Sequence, residues 1–142
     1  MIPSVDSAPS RLRIGTPLIF GVLVLVAGIF AAEYWQLYRR ITELDSIFHV
    51  LGGIAVGWMG LVLLQTDFKM LSGLKQCVII VSVTALIGVL WEFAEYVAGF
   101  GKNAFPLLYH YFHGGGLADT LADLAADLVG GIGVALVSLR RR

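Results

Sequence analysis

Residues 45–65, DSIFHVLGGIAVGWMGLVLLQ, and residues 123–139, DLAADLVGGIGVALVSL, follow one pattern. Each opens on an acid, places a polar residue four positions later, reaches Gly-Gly-Ile three positions after that, and continues as a long apolar run. A run of about 20 such residues is long enough to cross a hydrocarbon layer about 30 Å thick as a helix. The same short lead-in precedes both, Ala32-Glu33-Tyr34 in the first case and Ala94-Glu95-Tyr96 in the second. Carboxylates inside hydrocarbon are costly, and residues kept there at that cost generally serve function.

Composition agrees with a membrane chain. Of 142 residues, 58% are hydrophobic and only 14% charged, where an average soluble domain is about a quarter charged. Mean hydropathy is +0.84. The formal net charge is zero, so the chain lacks the basic field that marks a nucleic-acid binder. Cys77 is the single cysteine, which excludes an internal disulfide and a multi-thiolate metal site within one chain.

Four spans are expected, at about 17–35, 46–65, 76–99 and 119–139. Arg11 and Arg13 precede the first in the manner of a signal peptide, but Phe30 at the minus-three position before Ala32 makes a poor cleavage site. That span is therefore read as a retained helix. The domain plan is an N-terminal tail over 1–16, one four-helix transmembrane domain over 17–139, and a basic C-terminal tail over 140–142. Arg11, Arg13, Lys69, Lys75 and Arg140 to Arg142 fall on one side, against Arg39, Arg40 and Lys102 on the other, so the positive-inside rule makes both termini cytoplasmic. Trp35, Tyr34, Tyr96, Phe105, Tyr109, Tyr111 and Phe112 then fit the outer aromatic belt.

This orientation gathers the acids. Glu33 ends the first span, Asp45 and His49 begin the second, Glu92 and Glu95 end the third, and Asp119, Asp123 and Asp127 begin the fourth. All lie in the outer half of the bilayer, with Asp127 and Glu92 roughly 10–12 Å below the interface at 1.5 Å per residue. Asp45, His49 and Gly52 share a helical face, as do Asp123, Asp127 and Gly130; Gly88, Glu92, Glu95 and Gly99 form a similar stripe. The expected architecture is an all-α compact four-helix bundle with a polar cavity opening outward. The matched halves fit a parallel tandem repeat of helical hairpins.

Burial and mutual repulsion both oppose full ionisation of several carboxylates at one site. The spans contain no Lys or Arg, so the candidates to neutralise them are protons, a metal, a cationic substrate or a partner chain, with Lys102 or Arg39 folding inward from the outer loops the lesser alternative. Asp45, His49, Glu92, Glu95, Asp123 and Asp127 are the expected ligands of a hard or borderline divalent ion such as Mg, Mn, Zn or Fe, with Glu33 and Asp119 secondary. His110 and His113 read as surface residues of the outer loop from Phe100 to Ala118, a segment that suits a lid, a re-entrant element or an interfacial helix. Gly114-Gly115-Gly116 lacks the Lys-Ser/Thr of a phosphate loop, no Gly-x-Ser-x-Gly elbow occurs, and Glu92-x2-Glu95 is far from the paired Glu-x-x-His of di-iron bundles.

Asp45-x3-His49, Trp91-Glu92-x2-Glu95-Tyr96 and Asp119-Thr120-x2-Asp123-x3-Asp127-x2-Gly130, in that order, resemble small bacterial inner-membrane proteins of the YjdF-like type, and more distantly VanZ-like proteins. The likeness covers roughly Ile41 to Leu136 and implies a multi-pass protein of the inner (cytoplasmic) membrane. It carries no activity over. Three functions fit these residues: binding or transport of a cation through the acidic cavity, metal-dependent catalysis on a lipid or envelope precursor, and an accessory role in which the acids pair with basic residues of a larger membrane protein. A homodimer suits transport by so small a chain.

Overall fold

The computed structural model describes residues 11–33, 41, 43–64, 71–112 and 115–140. Expectations for residues 1–10, Tyr34, Trp35, Arg39, Arg40, Lys69, His113, Arg141 and Arg142 lie outside these, as do those for the side chains of Arg11, Arg13, Glu33, Tyr111 and Phe112. Four long helices and one short one account for nearly all described residues, and no strand occurs among them. They are α1 (Arg11–Glu33), α2 (Leu44–Leu63), α3 (Gly73–Phe100), α4 (Pro106–Phe112) and α5 (Leu117–Arg140).

Three of these, α2, α3 and α5, are long and apolar enough to cross a membrane, while the apolar stretch of α1 is shorter, Gly15–Ala31. Each helix starts somewhat before the apolar run that announces it. In α1 the difference is a full turn or more, because Pro17 does not open the helix but sits inside it, completely buried. At 1.5 Å per residue the 28 residues of α3 span about 42 Å, so this helix exceeds the hydrocarbon layer and carries Glu95 and Tyr96 toward its edge.

The expected helical bundle is present, and its packing is uneven. α2, α3 and α5 all touch one another, with α2 against α5 the most extensive pair, whereas α1 packs chiefly on α2. Gly21 meets Ala55 across that contact, and the Phe20 and Trp58 rings lie 6.2 Å apart. The remaining surface of α1, including Leu18, Ile19, Val22, Leu23 and Phe30, is exposed and suited to lipid.

Glycines set the α2–α5 spacing. A Cβ on Gly53 would strike the backbone of Asp127, and one on Gly130 would strike backbone atoms of Val50, Gly53 and Ile54. Only hydrogen fits on both sides, so the backbones themselves are in contact, as at small-residue crossings in membranes generally. Further along, Gly57 abuts Gly131 and Val134. Contacts that advance together in number mean that α2 and α5 run parallel. α3 runs the other way, since Gly88 faces Asp127, Thr84 faces Gly131, and Cys77 approaches the Ala135 carbonyl.

The apolar core lies at the end of the bundle opposite the acids. Ile80 and Ala135 are its centre, with Leu61, Leu64, Cys77 and Val134 around them. Above it Thr84 is fully buried and returns its hydroxyl hydrogen to the Ile80 carbonyl at 3.0 Å, a way for a polar residue to remain satisfied within a membrane helix.

Gly53→Ala is expected to destabilise the bundle by about 1–3 kcal/mol through forced separation of two backbones. Gly133→Ala, where an added methyl meets open space, is expected to leave stability unchanged or slightly improved. Thermal unfolding in one detergent compares the two, and equal midpoints would rule out the glycine contact as the determinant of packing.

Candidate functional site

The site is assembled where the polar faces of α2, α3 and α5 converge above the glycine crossing. His49 lies one turn before Gly53 on α2, and the backbone contact at Gly53 presses its ring against α5. Two carboxylates receive it. Asp127 Oδ1 is 3.4 Å from His49 Nδ1, and Asp123 Oδ2 is 3.9 Å from Nε2. Asp123 and Asp127 sit one turn apart, so a single imidazole bridges consecutive turns of the facing helix. All three residues are buried, Asp123 down to 2% exposure.

Asp45, one turn before His49, completes a group of three. Asp45, His49 and Asp123 each offer a ligand atom, and those atoms all lie within 4.8 Å of one another. Donor atoms sharing one metal at about 2.0–2.2 Å lie roughly 3–4 Å apart, so these three side chains would have to close in to share an ion.

Asp127 owes its position to a further glycine. Its Oδ2 is packed against Gly88 of α3, where a Cβ would collide with it, while its Oδ1 faces Gly52 and the histidine. Gly52 and Gly88 thus form a slot one carboxylate wide between two helices. The sequence stripe containing Gly88 marks the helix face but gives no sign that its missing side chain accommodates an acid from another helix.

Glu92 and Glu95 stand higher on α3. Glu95 is half-buried, and its Oε1 accepts the indole N–H of Trp91 at 2.8 Å. Glu92 is 9% exposed, and its Oε1 has no hydrogen-bond partner among the described residues. Both line a cavity of about 270 Å³, together with Tyr96 and Phe100 of α3, Gly115, and Thr120 of α5. Thr120 shares the helical face of Asp123 and Asp127, a spacing that could have identified it from sequence alone.

The structure therefore distributes the expected ligands. Asp45, His49 and Asp123 come together, Asp127 adjoins them on the far side of the ring, and Glu92 and Glu95 belong to the neighbouring cavity. Asp119 is exposed, and its Oδ2 accepts the backbone N–H of Gly115 at 3.0 Å, fastening the start of α5. Glu33 ends α1.

No Lys or Arg among the described residues pairs with these acids. Lys102 lies over the Tyr109 ring, 5.4 Å from its centre, a cation–π arrangement at the start of the segment carrying α4. The expected loop thus contains a seven-residue helix packed on α3.

A family model described as a predicted membrane protein, DUF2238, matches residues 2–142, and this agrees with the YjdF-like resemblance. No curated protein and no solved structure matches the chain.

With Trp35 and Trp58 replaced by Phe, the emission of Trp91 becomes a reporter of its bond to Glu95. Glu95→Leu removes the acceptor and is expected to shift the emission maximum in reconstituted protein. An unchanged spectrum would show that the indole does not hold the carboxylate in a bilayer.

Proposed function

We propose that this chain, which belongs to the DUF2238 family of predicted membrane proteins, binds a cation in the polar half of its helical bundle, with a divalent metal held by Asp45, His49 and Asp123. The observation that carries the reading is the placement of His49. One ring nitrogen faces Asp123 and the other faces Asp127, the carboxylate–histidine arrangement that in metal sites fixes the ring and leaves one nitrogen free to coordinate.

Each residue then has a part. Asp127 accepts the Nδ1 hydrogen and selects the tautomer whose Nε2 carries a lone pair. Asp45 and Asp123 supply oxygen ligands and cancel the charge of a dication, which removes the repulsion that otherwise opposes their ionisation together. Oxygen with one imidazole suits Mn, Fe or Zn well, and Mg less well because of the nitrogen.

The same geometry favours binding or uptake from one side over free passage. Below Asp127 the bundle closes through Gly131 against Thr84 and then the Ile80–Ala135 core. A cation crossing to the other side would require these helices to separate. In the orientation given by the basic residues the cavity opens outward from the inner membrane, with both termini cytoplasmic.

Elemental mass spectrometry of the detergent-purified chain, after incubation with Mg, Mn, Zn and Fe in turn, tests the reading. About one metal per chain is expected, lost in His49→Ala and Asp123→Asn. Removal of the carboxylate behind the ring by Asp127→Asn is expected to weaken affinity about 10- to 100-fold without abolishing it. Absence of every metal from the folded wild type would overturn the proposal.

A further inference from the structure

The cavity beside the His49 group has different chemistry. It is lined by Glu92, Glu95, Tyr96, Phe100, Gly115 and Thr120, and its volume of about 270 Å³ is far more than a bare metal ion fills. Its aromatic walls, Tyr96 and Phe100, offer faces that suit an organic cation rather than a hydrated metal ion. Glu92, one of its lining residues, keeps an oxygen, Oε1, buried with no partner among the described residues. An orphaned buried oxygen in a membrane protein is costly, and a donor arriving from outside would relieve that cost.

The walls indicate the donor. Glu95 has one oxygen engaged by Trp91, which leaves the other available, and Thr120 adds a hydroxyl. Tyr96 and Phe100 meet edge to face, with ring centres 4.8 Å apart, and both are largely exposed at the end of α3. An acidic floor under aromatic walls is matched by a positive charge with hydrogens to donate and a short apolar stem to lay against the rings.

We propose that this cavity binds a primary alkylammonium group, whose three N–H donors meet Glu92, Glu95 and Thr120 while its carbon stem contacts Tyr96 and Phe100. This shares with the preceding section the premise that the acids attract cations, but it requires no metal. The group could belong to a free amine or to an aminophospholipid headgroup at the outer edge of the helices.

The test uses the full chain in nanodiscs of phosphatidylglycerol alone, with radiolabelled ethanolamine as the probe. Saturable binding is expected, weakened at least tenfold by Glu92→Gln, weakened also by Thr120→Val, retained in His49→Ala, and resisted by choline, whose nitrogen has no hydrogen to donate. Displacement of the label as phosphatidylethanolamine is added to the discs supports the proposal with lipid as the source; binding that this lipid does not displace supports it with a free amine. No saturable binding, equal competition by choline, or indifference to both Glu92→Gln and Thr120→Val overturns it. His49→Ala separates the two sites, because it removes the metal and spares the amine.

Discussion

The contact between the backbones of α2 and α5 governs the arrangement of everything above it. Because Gly53 and Gly130 each lie against main-chain atoms of the other helix, the two axes cannot be farther apart or differently rotated without losing that fit. The faces next to the glycines are then committed. On α2 that face carries His49 and on α5 it carries Asp127 and Asp123, so close packing of the smallest side chains is what pushes the most polar ones together. Stability and site geometry are therefore the same interaction viewed at two heights along one crossing.

Polarity divides the bundle along its length. Among the described residues, one half holds Ile80, Ala135 and their apolar neighbours, with buried Gln76 donating to the Leu71 carbonyl, and the other holds four buried ionisable side chains, His49, Glu92, Asp123 and Asp127. A soluble protein could hydrate such a cluster from several directions. Here the flanks of the helices are Leu, Val, Ile and Phe facing outward, so access is restricted to the end of the bundle.

Much of this could be read from the chain. The spans follow from apolar length, and the shared face of Asp45 and His49 follows from a four-residue spacing on a helix. The shared face of Asp123, Asp127 and Gly130 follows from the same spacing on the matching segment. Other features depend on which helices become neighbours, and spacing within one helix does not supply that. The slot between Gly52 and Gly88 for Asp127 is one, and the separation of Glu92 and Glu95 from the histidine group is another. The marginal position of α1 was equally hidden, since its apolar sequence is as compatible with the centre of a bundle as with its edge. The bond from Trp91 to Glu95 was within reach of sequence, four residues apart on one helix, but an indole near a membrane surface fits the aromatic belt equally well.

The parallel course of α2 and α5 has a consequence for how the protein is made. Two helices that enter the membrane in the same direction need a third between them, so the second half of the site is synthesised only after α3 has been threaded back. Until then Asp45 and His49 face the bilayer without their eventual neighbours, at a time when the nascent chain has only α1 and α3 to shield them. Maturation of the polar half thus waits for α5 to enter the membrane, and a chain stopped before it would leave Asp45 and His49 without the carboxylates of Asp123 and Asp127.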